Sequence, residues 1–329
     1  MLLSRNMLQR ILGALWFIDG LFQLQPQMFT MNMVNTIMKP MLEGQPGLIK
    51  PSLQFIVTQA TLHLTTVNML IALTEIFLGL AFLFIPARWI KPVVIISILW
   101  ALLVWYAGEG VGMLLTGQAS ILTGAPGSVF LYTLLGLLVW PRQQSSEDAQ
   151  EDGIKTGDMG LLSRKSLRWV LAGFWFFAAL LQFQPIWWQP GQLSQAIGGL
   201  VGQGGLNTML LDPVFQQLSN ATAAIEIPLN IVLVVAFLVL GIMLLVVKEE
   251  HVRYFLIASI VMSVAFWFIT EGFGMVLTGL ATDTDTGFLL ILIALACWPR
   301  PAAGFLRMPR IQFGRPLRQP RKASAMQSV

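Results

Sequence analysis

Gly108-Glu109-Gly110-Val111-Gly112-Met113-Leu114-Leu115-Thr116-Gly117 returns near the other end of the chain as Glu271-Gly272-Phe273-Gly274-Met275-Val276-Leu277-Thr278-Gly279. A tryptophan stands one helical turn before each acid, Trp105 and Trp267. Outward from this stretch the matches continue in order. Leu2-Leu3-Ser4-Arg5 returns as Leu161-Leu162-Ser163-Arg164, Trp16 as Trp175, Gln23 as Gln182 and Gln25-Pro26 as Gln184-Pro185. Trp140-Pro141-Arg142 returns as Trp298-Pro299-Arg300. Ordered matches over a whole unit mark an internal duplication.

Each unit carries four hydrophobic spans. In the first they are Met7–Leu24, Thr66–Ile85, Val93–Leu115 and Val129–Trp140. In the second they are Trp169–Phe183, Ile225–Val247, Tyr254–Leu277 and Phe288–Trp298. The expected fold is an all-α integral membrane protein. Two parallel tandem repeats of a four-helix transmembrane bundle give about eight membrane helices. Its parts are a first unit at 1–142, a linker at 143–160, a second unit at 161–300 and a basic tail at 301–329. In the outer loops, Met31, Val34, Ile37, Met38 and Met41 share one helical face, and Leu193, Ile197, Leu200 and Val201 share another. Both read as amphipathic helices in the outer interface.

Composition agrees with a lipid solvent. The 329 residues are 56% hydrophobic and 11% charged, with a mean hydropathy of +0.72. Soluble domains carry roughly 25% charged residues. The net charge of +4 is therefore no sign of nucleic acid, and membrane lipids are the expected surroundings. Cys297 is the only cysteine, which excludes an internal disulfide and a thiolate metal cage. With only His63 and His251, a bis-histidine haem within the bilayer is excluded. No intrinsic cofactor or metal is expected. The early apolar run Ile11–Phe22 is not read as a signal peptide, because it contains Asp19 and has a twin deep in the chain.

The basic residues give an orientation. Arg5, Arg10, Arg88, Lys91, Arg142, Arg164, Lys165, Arg168, Lys248, Arg253 and Arg300 fall on one side of this topology, with the tail. Both termini are therefore expected in the cytoplasm of a bacterial plasma membrane. An even number of spans per unit makes the copies parallel. Trp89, Trp187 and Trp188 read as interface anchors.

The residues that would carry chemistry are acids within the spans, which are costly there and mark functional sites. Glu109 and Glu271 are kept in both units. On a helix continued through the third span, Trp105, Gly112 and Thr116 would share the face of Glu109. Such an acid either handles a proton or ligand, or bonds the backbone as a structural carboxyl. Asp19 lies in the first span with Trp16 and Gln23 on its face, and its counterpart is Ala178. Glu75 lies mid-span, opposite Phe237 in the second unit. The first unit is thus read as the active copy. The expected site is Asp19, Gln23, Glu75 and Glu109, with Trp16 and Trp105 as walls and Thr116 and Glu271 as further candidates. Glu226 reads as interfacial. The methionines Met28, Met31, Met33, Met38 and Met41 have the softness to bind Cu(I), but the twin helix Leu193–Val201 has none, and an apolar face is the stronger reading.

With its Arg-led first span, Arg10 to Pro26, and the stretch Gly108 to Gly117 followed by Gly124-Ala125-Pro126-Gly127, each unit resembles the DoxX/DoxD-like superfamily of small four-helix membrane proteins. The second copy has Glu271 to Gly279 and then Thr282 to Gly287. The resemblance implies a membrane redox or quinone-linked role, as in a thiosulfate:quinone oxidoreductase. Quinone would then be the cofactor and other subunits of a redox complex the partners. The chain would bind a small apolar or quinone-like ligand or serve as an accessory membrane subunit. The alternatives are a small-molecule or proton-coupled transporter and a structural subunit of a membrane complex.

Overall fold

The helix Leu64–Phe84 buries Asn68 and Glu75 and exposes Leu70, Leu73, Phe77 and Phe84. A helix in water is apolar inside and polar outside. Glu226–Val246 repeats the inversion, burying Glu226 and Asn230 and exposing Val232, Val235, Val239 and Val246. Lipid accepts such an apolar exterior, and the bundle interior must then satisfy the polar groups.

These helices belong to a computed structural model that describes residues 3–141 and 161–299. The expected linker and basic tail lie outside the described residues. The first half contains α1 (Arg5–Phe22), α2 (Lys50–Leu62), α3 (Leu64–Phe84), α4 (Ile90–Ala107) and α5 (Ser128–Val139). The second contains α6 (Arg164–Gln182), α7 (Gln192–Gly198), α8 (Gly205–Leu210), α9 (Asp212–Ala223), α10 (Glu226–Val246), α11 (Val252–Ile269) and α12 (Asp285–Ala296). No strand occurs among the described residues. Four helices are long and apolar enough to cross a membrane: α3, the run Ala87–Ala107 that contains α4, α10 and α11. The expected short spans are α5 and α12, each of 12 residues. At 1.5 Å per residue each is about 18 Å long, short of a core of roughly 30 Å.

Small residues set the closest packing. A Cβ at Gly20 of α1 would stand 2.7 Å from the Ile76 nitrogen and 2.8 Å from the Ala72 carbonyl. Helices α1 and α3 therefore meet backbone to backbone, the contact that small residues permit in membranes. In the second half α6 packs on α10, where Gly241 lies against the Phe176 ring, and α11 packs on α12. Helix α12 touches both α5 and α6, so the halves meet there. The first helix of each half starts on a serine cap: Ser4 Oγ accepts from Met7 N at 3.2 Å, and Ser163 Oγ from Ser166 N at 3.0 Å. Each is then tied to a distant helix by an indole. Trp16 donates to Ser97 Oγ at 2.8 Å and Trp175 to Ser259 Oγ at 3.0 Å.

Several expectations need correction. The third spans stop early, at Ala107 and Ile269 and not at Leu115 and Leu277. Gly110 to Met113 and Gly272 to Met275 take φ between +54° and +70°. A run of left-handed residues cannot continue a right-handed helix. Apolar side chains there raised the hydropathy, which carries no information about φ. The outer segment around Met31 to Met41 is not one amphipathic helix but a π-helical turn, Met33–Met38, and a 3-10 turn, Pro40–Leu42. Helices α2 and α9 were not expected. They open on Lys50-Pro51 and Asp212-Pro213, and proline is well suited to a first helical turn. Trp187 is buried, donating its indole N–H to the Ala119 carbonyl of the first half at 3.1 Å; it is not an interface anchor.

Candidate functional site

Helix N-termini leave backbone N–H groups without intrahelical partners. Glu109 meets that need for α5. Its Oε1 accepts from Ser128 Oγ at 2.7 Å and from Val129 N at 3.1 Å. Glu271 does the same for α12, Oε2 accepting from Gly287 N at 2.8 Å. The neighbouring tryptophans clamp the same turns: Trp105 donates to the Pro126 carbonyl at 2.6 Å and Trp267 to the Thr284 carbonyl at 2.9 Å. Gly127, at φ +107°, lies so close that a Cβ would stand 2.8 Å from the Trp105 ring and would also collide with the Glu109 carboxyl. In both halves the conserved spacing of tryptophan and acid therefore builds a structural joint. The helical face expected for Glu109, Gly112 and Thr116 does not exist, because the helix has already ended. Thr116 folds back onto the Met113 carbonyl at 2.7 Å.

Glu109 also lines a cavity of about 640 Å³ that takes in Trp16, Asp19 and Gln23 of α1, Glu75 of α3 and Trp100 of α4. Two further acids close it from the second half, Asp283 and Asp285. Asp19 is held by Tyr132 of α5, whose hydroxyl donates to Oδ2 at 2.6 Å. Asp283 Oδ1 accepts from Asp285 N at 2.7 Å, and Asp285 Oδ1 from Thr286 N at 2.9 Å. The turn that bears them is anchored on the first half, Thr286 Oγ1 donating to the Gly124 carbonyl at 2.8 Å.

Some polar atoms of this wall lack partners. Asp19 Oδ1, Gln23 Oε1, Glu75 Oε2, Glu109 Oε2 and the Trp100 indole nitrogen are buried with no hydrogen-bond partner among the described residues. Trp100 lies beside the Glu75 carboxyl without closing a hydrogen bond of good geometry. Buried polar groups are almost always paired, so a cluster of orphans in one cavity needs an explanation. Much of the remaining wall is apolar, with Met33, Met38 and Met41 from the outer segment. These methionines join Met28, Val34 and Val57 in a small buried cluster, whereas Met31, expected on the apolar face with Met38 and Met41, is exposed.

The second half fills the equivalent region. Ala178 and Phe237 stand where Asp19 and Glu75 would be matched, both buried. Phe237 packs against Trp175 and Phe266, with ring centroids 5.5 and 5.6 Å away. Glu271 does not line the acid-lined cavity, although it lies near Asp285, which does. Trp105 belongs to a different hollow, an apolar one of about 500 Å³ where Phe130 and Leu134 face Phe174, Phe177 and Leu290. Glu226, the first residue of α10, has little exposed surface because it accepts from Gly191 N and, at 2.8 Å, from Ser194 N, capping α7. His63 is exposed at the break between α2 and α3. Among the described residues no group of three His, Cys, Asp or Glu side chains is placed to hold a metal ion.

Of the expected site, Trp16, Asp19, Gln23, Glu75 and Glu109 line one cavity; Trp105, Thr116 and Glu271 do not. Tyr132, Trp100, Asp283 and Asp285 were not anticipated. Asp283 and Asp285 had one signal, two acids immediately before an apolar run, with a tryptophan-acid joint upstream. Compared with protein-family models, with curated proteins and with solved structures, the chain matches none.

Proposed function

We infer that the chain is a multi-pass membrane protein that binds a small, largely apolar molecule bearing hydrogen-bonding groups, in the cavity between α1, α3 and α4. The single observation that carries this is the set of orphaned buried atoms, Asp19 Oδ1, Gln23 Oε1, Glu75 Oε2, Glu109 Oε2 and Trp100 Nε1, on one mostly apolar wall. Concave, apolar sites with a few convergent polar groups are the usual form of a small-molecule site. Eight spans in two parallel units, both termini cytoplasmic, is the topology we assign. It is supported by the duplicated joints at Glu109 and Glu271 and by the paired indole bonds of Trp16 and Trp175.

A quinone, the cofactor that the DoxX-like resemblance implies, fits this wall less well. Its carbonyl oxygens need donors, and the orphaned atoms offer one permanent N–H, Trp100, beside one amide oxygen and three carboxyl oxygens that donate only when protonated. A redox role would accordingly place the electron-transfer chemistry with partner subunits.

The test uses the second half as its template. Asp19→Ala combined with Glu75→Phe gives the first half the residues of the second, Ala178 and Phe237. The variant leaves the buried Tyr132 hydroxyl without its Asp19 acceptor, so a monodisperse peak in mild detergent is checked first; the folded variant is expected to lose small molecules that copurify with the wild type. Identical copurified contents by mass spectrometry would remove the assignment. Uptake into sealed vesicles separates transport from binding.

A further inference from the structure

The cavity wall has a charge pattern as well as a hydrogen-bonding one. Five carboxyl groups line it, Asp19, Glu75, Glu109, Asp283 and Asp285. Among the described residues no Lys, Arg or His lines it, and neither ion pair of the described residues, Arg168–Glu249 and His251–Glu250, involves these acids. Asp19 is 2% and Glu75 3% exposed, and each keeps an oxygen without a partner among the described residues. Carboxylates collected in a low-dielectric space repel one another and lose hydration. They are tolerated when protons or a positive counter-charge neutralise them. The partners present do not supply that charge: Tyr132 gives Asp19 a hydroxyl, and Ser128 and Val129 give Glu109 a hydroxyl and an amide.

We propose that the ligand of this cavity is an organic ammonium ion, an amine cation on an apolar body, seated between Asp19 and Glu75. This rests on the reading of the cavity as a ligand site and adds the class of ligand. The three N–H donors of a primary ammonium match the orphaned oxygens Asp19 Oδ1, Gln23 Oε1 and Glu75 Oε2 in number and kind. Trp16 and Trp100, both on the wall, provide the aromatic surface on which cations bind favourably. Met33, Met38 and Met41 provide an adaptable apolar surface for the body. The second half lacks both central acids, with Ala178 and Phe237 in their places.

Three probes of one shape decide the charge: 2-(1-naphthyl)ethylammonium, 2-(1-naphthyl)ethanol and 1-naphthylacetate. Each is equilibrated by dialysis at neutral pH with the full chain in mild detergent, with empty micelles as the blank. The ammonium is expected to bind about tenfold more tightly than the alcohol, and the acetate to remain at the blank. Asp19→Asn and Glu75→Gln are each expected to weaken ammonium binding about tenfold while leaving the alcohol within about twofold. If either variant fails to fold, Asp283→Asn, in a turn outside the helices, takes its place with an expected loss of roughly threefold. Equal binding of alcohol and ammonium would overturn the cation while leaving the cavity as a ligand site. Wild type at the blank for all three probes would overturn both.

Discussion

At the scale of single residues, the acids of this chain divide by what touches them. Glu109 is both a cap and a cavity wall, and substitutions separate the two. Glu109→Ala leaves Val129 N and Ser128 Oγ without their acceptor and is expected to cost about 1–3 kcal/mol, read as a lower unfolding temperature in mild detergent. Glu109→Gln keeps an amide oxygen at Oε1 and is expected to retain most of that stability. Tyr132→Phe removes the one hydrogen bond to Asp19 Oδ2 and is expected to destabilise by a similar 1–3 kcal/mol or so. Asp19→Asn in the same background should recover part of the loss, because a neutral amide is cheaper to bury than an unpaired carboxylate. Asp19, Glu75 and Glu109 were legible because an acid within an apolar run is expensive anywhere in a membrane. Their partners were not. Tyr132 is separated from Asp19 by more than a hundred residues, and nothing local in either segment records the pairing.

At the scale of elements, helix positions followed from hydropathy, whereas helix ends followed from backbone geometry. Helices α1, α3 and α10 lie close to the spans read from the sequence. Helices α4 and α11 do not, since Leu114, Leu115, Val276 and Leu277 kept the apolar run alive after the backbone had left the helix. The glycines at 108, 110 and 112 were the available warning. Close packing of α1 on α3 was also latent in glycine positions. A Cβ at Gly79 would stand 2.7 Å from the Phe17 Cα, so Gly79→Leu is expected to force the two helices apart. That variant should lose the monodisperse peak in size-exclusion chromatography, whereas Leu80→Ala, on the exposed face of α3, should keep it. A monodisperse Gly79→Leu protein would contradict the backbone contact.

For the whole molecule, the expectation concerns sidedness and cooperativity. Leu48 is 92% exposed in the outer segment, and Ala87 is exposed in the turn between α3 and α4. In the assigned topology they face opposite sides of the membrane. Leu48→Cys and Ala87→Cys are therefore expected to react with an impermeant maleimide from opposite sides of intact cells and inverted vesicles; labelling of both from one side would reject the topology. Cys297 is buried and should stay silent. The halves are joined by α12 against α5 and α6 and by the bonds of Trp187, Gln184 and Thr286 to the first half. Heating is expected to give one cooperative transition. Trp187→Ala is expected to lower its midpoint, and a split into two transitions would show that the halves unfold apart.

The turn at Asp283 to Thr286 closes a cavity that belongs mostly to residues translated long before it. A frameshift or stop codon in the second half ahead of Asp283 would thus yield a product that retains Asp19 and Glu75 yet has an open flank where Asp283 and Asp285 belong. Shortening the chain to its first copy would breach that wall, although the second copy itself carries alanine and phenylalanine in place of the two central acids.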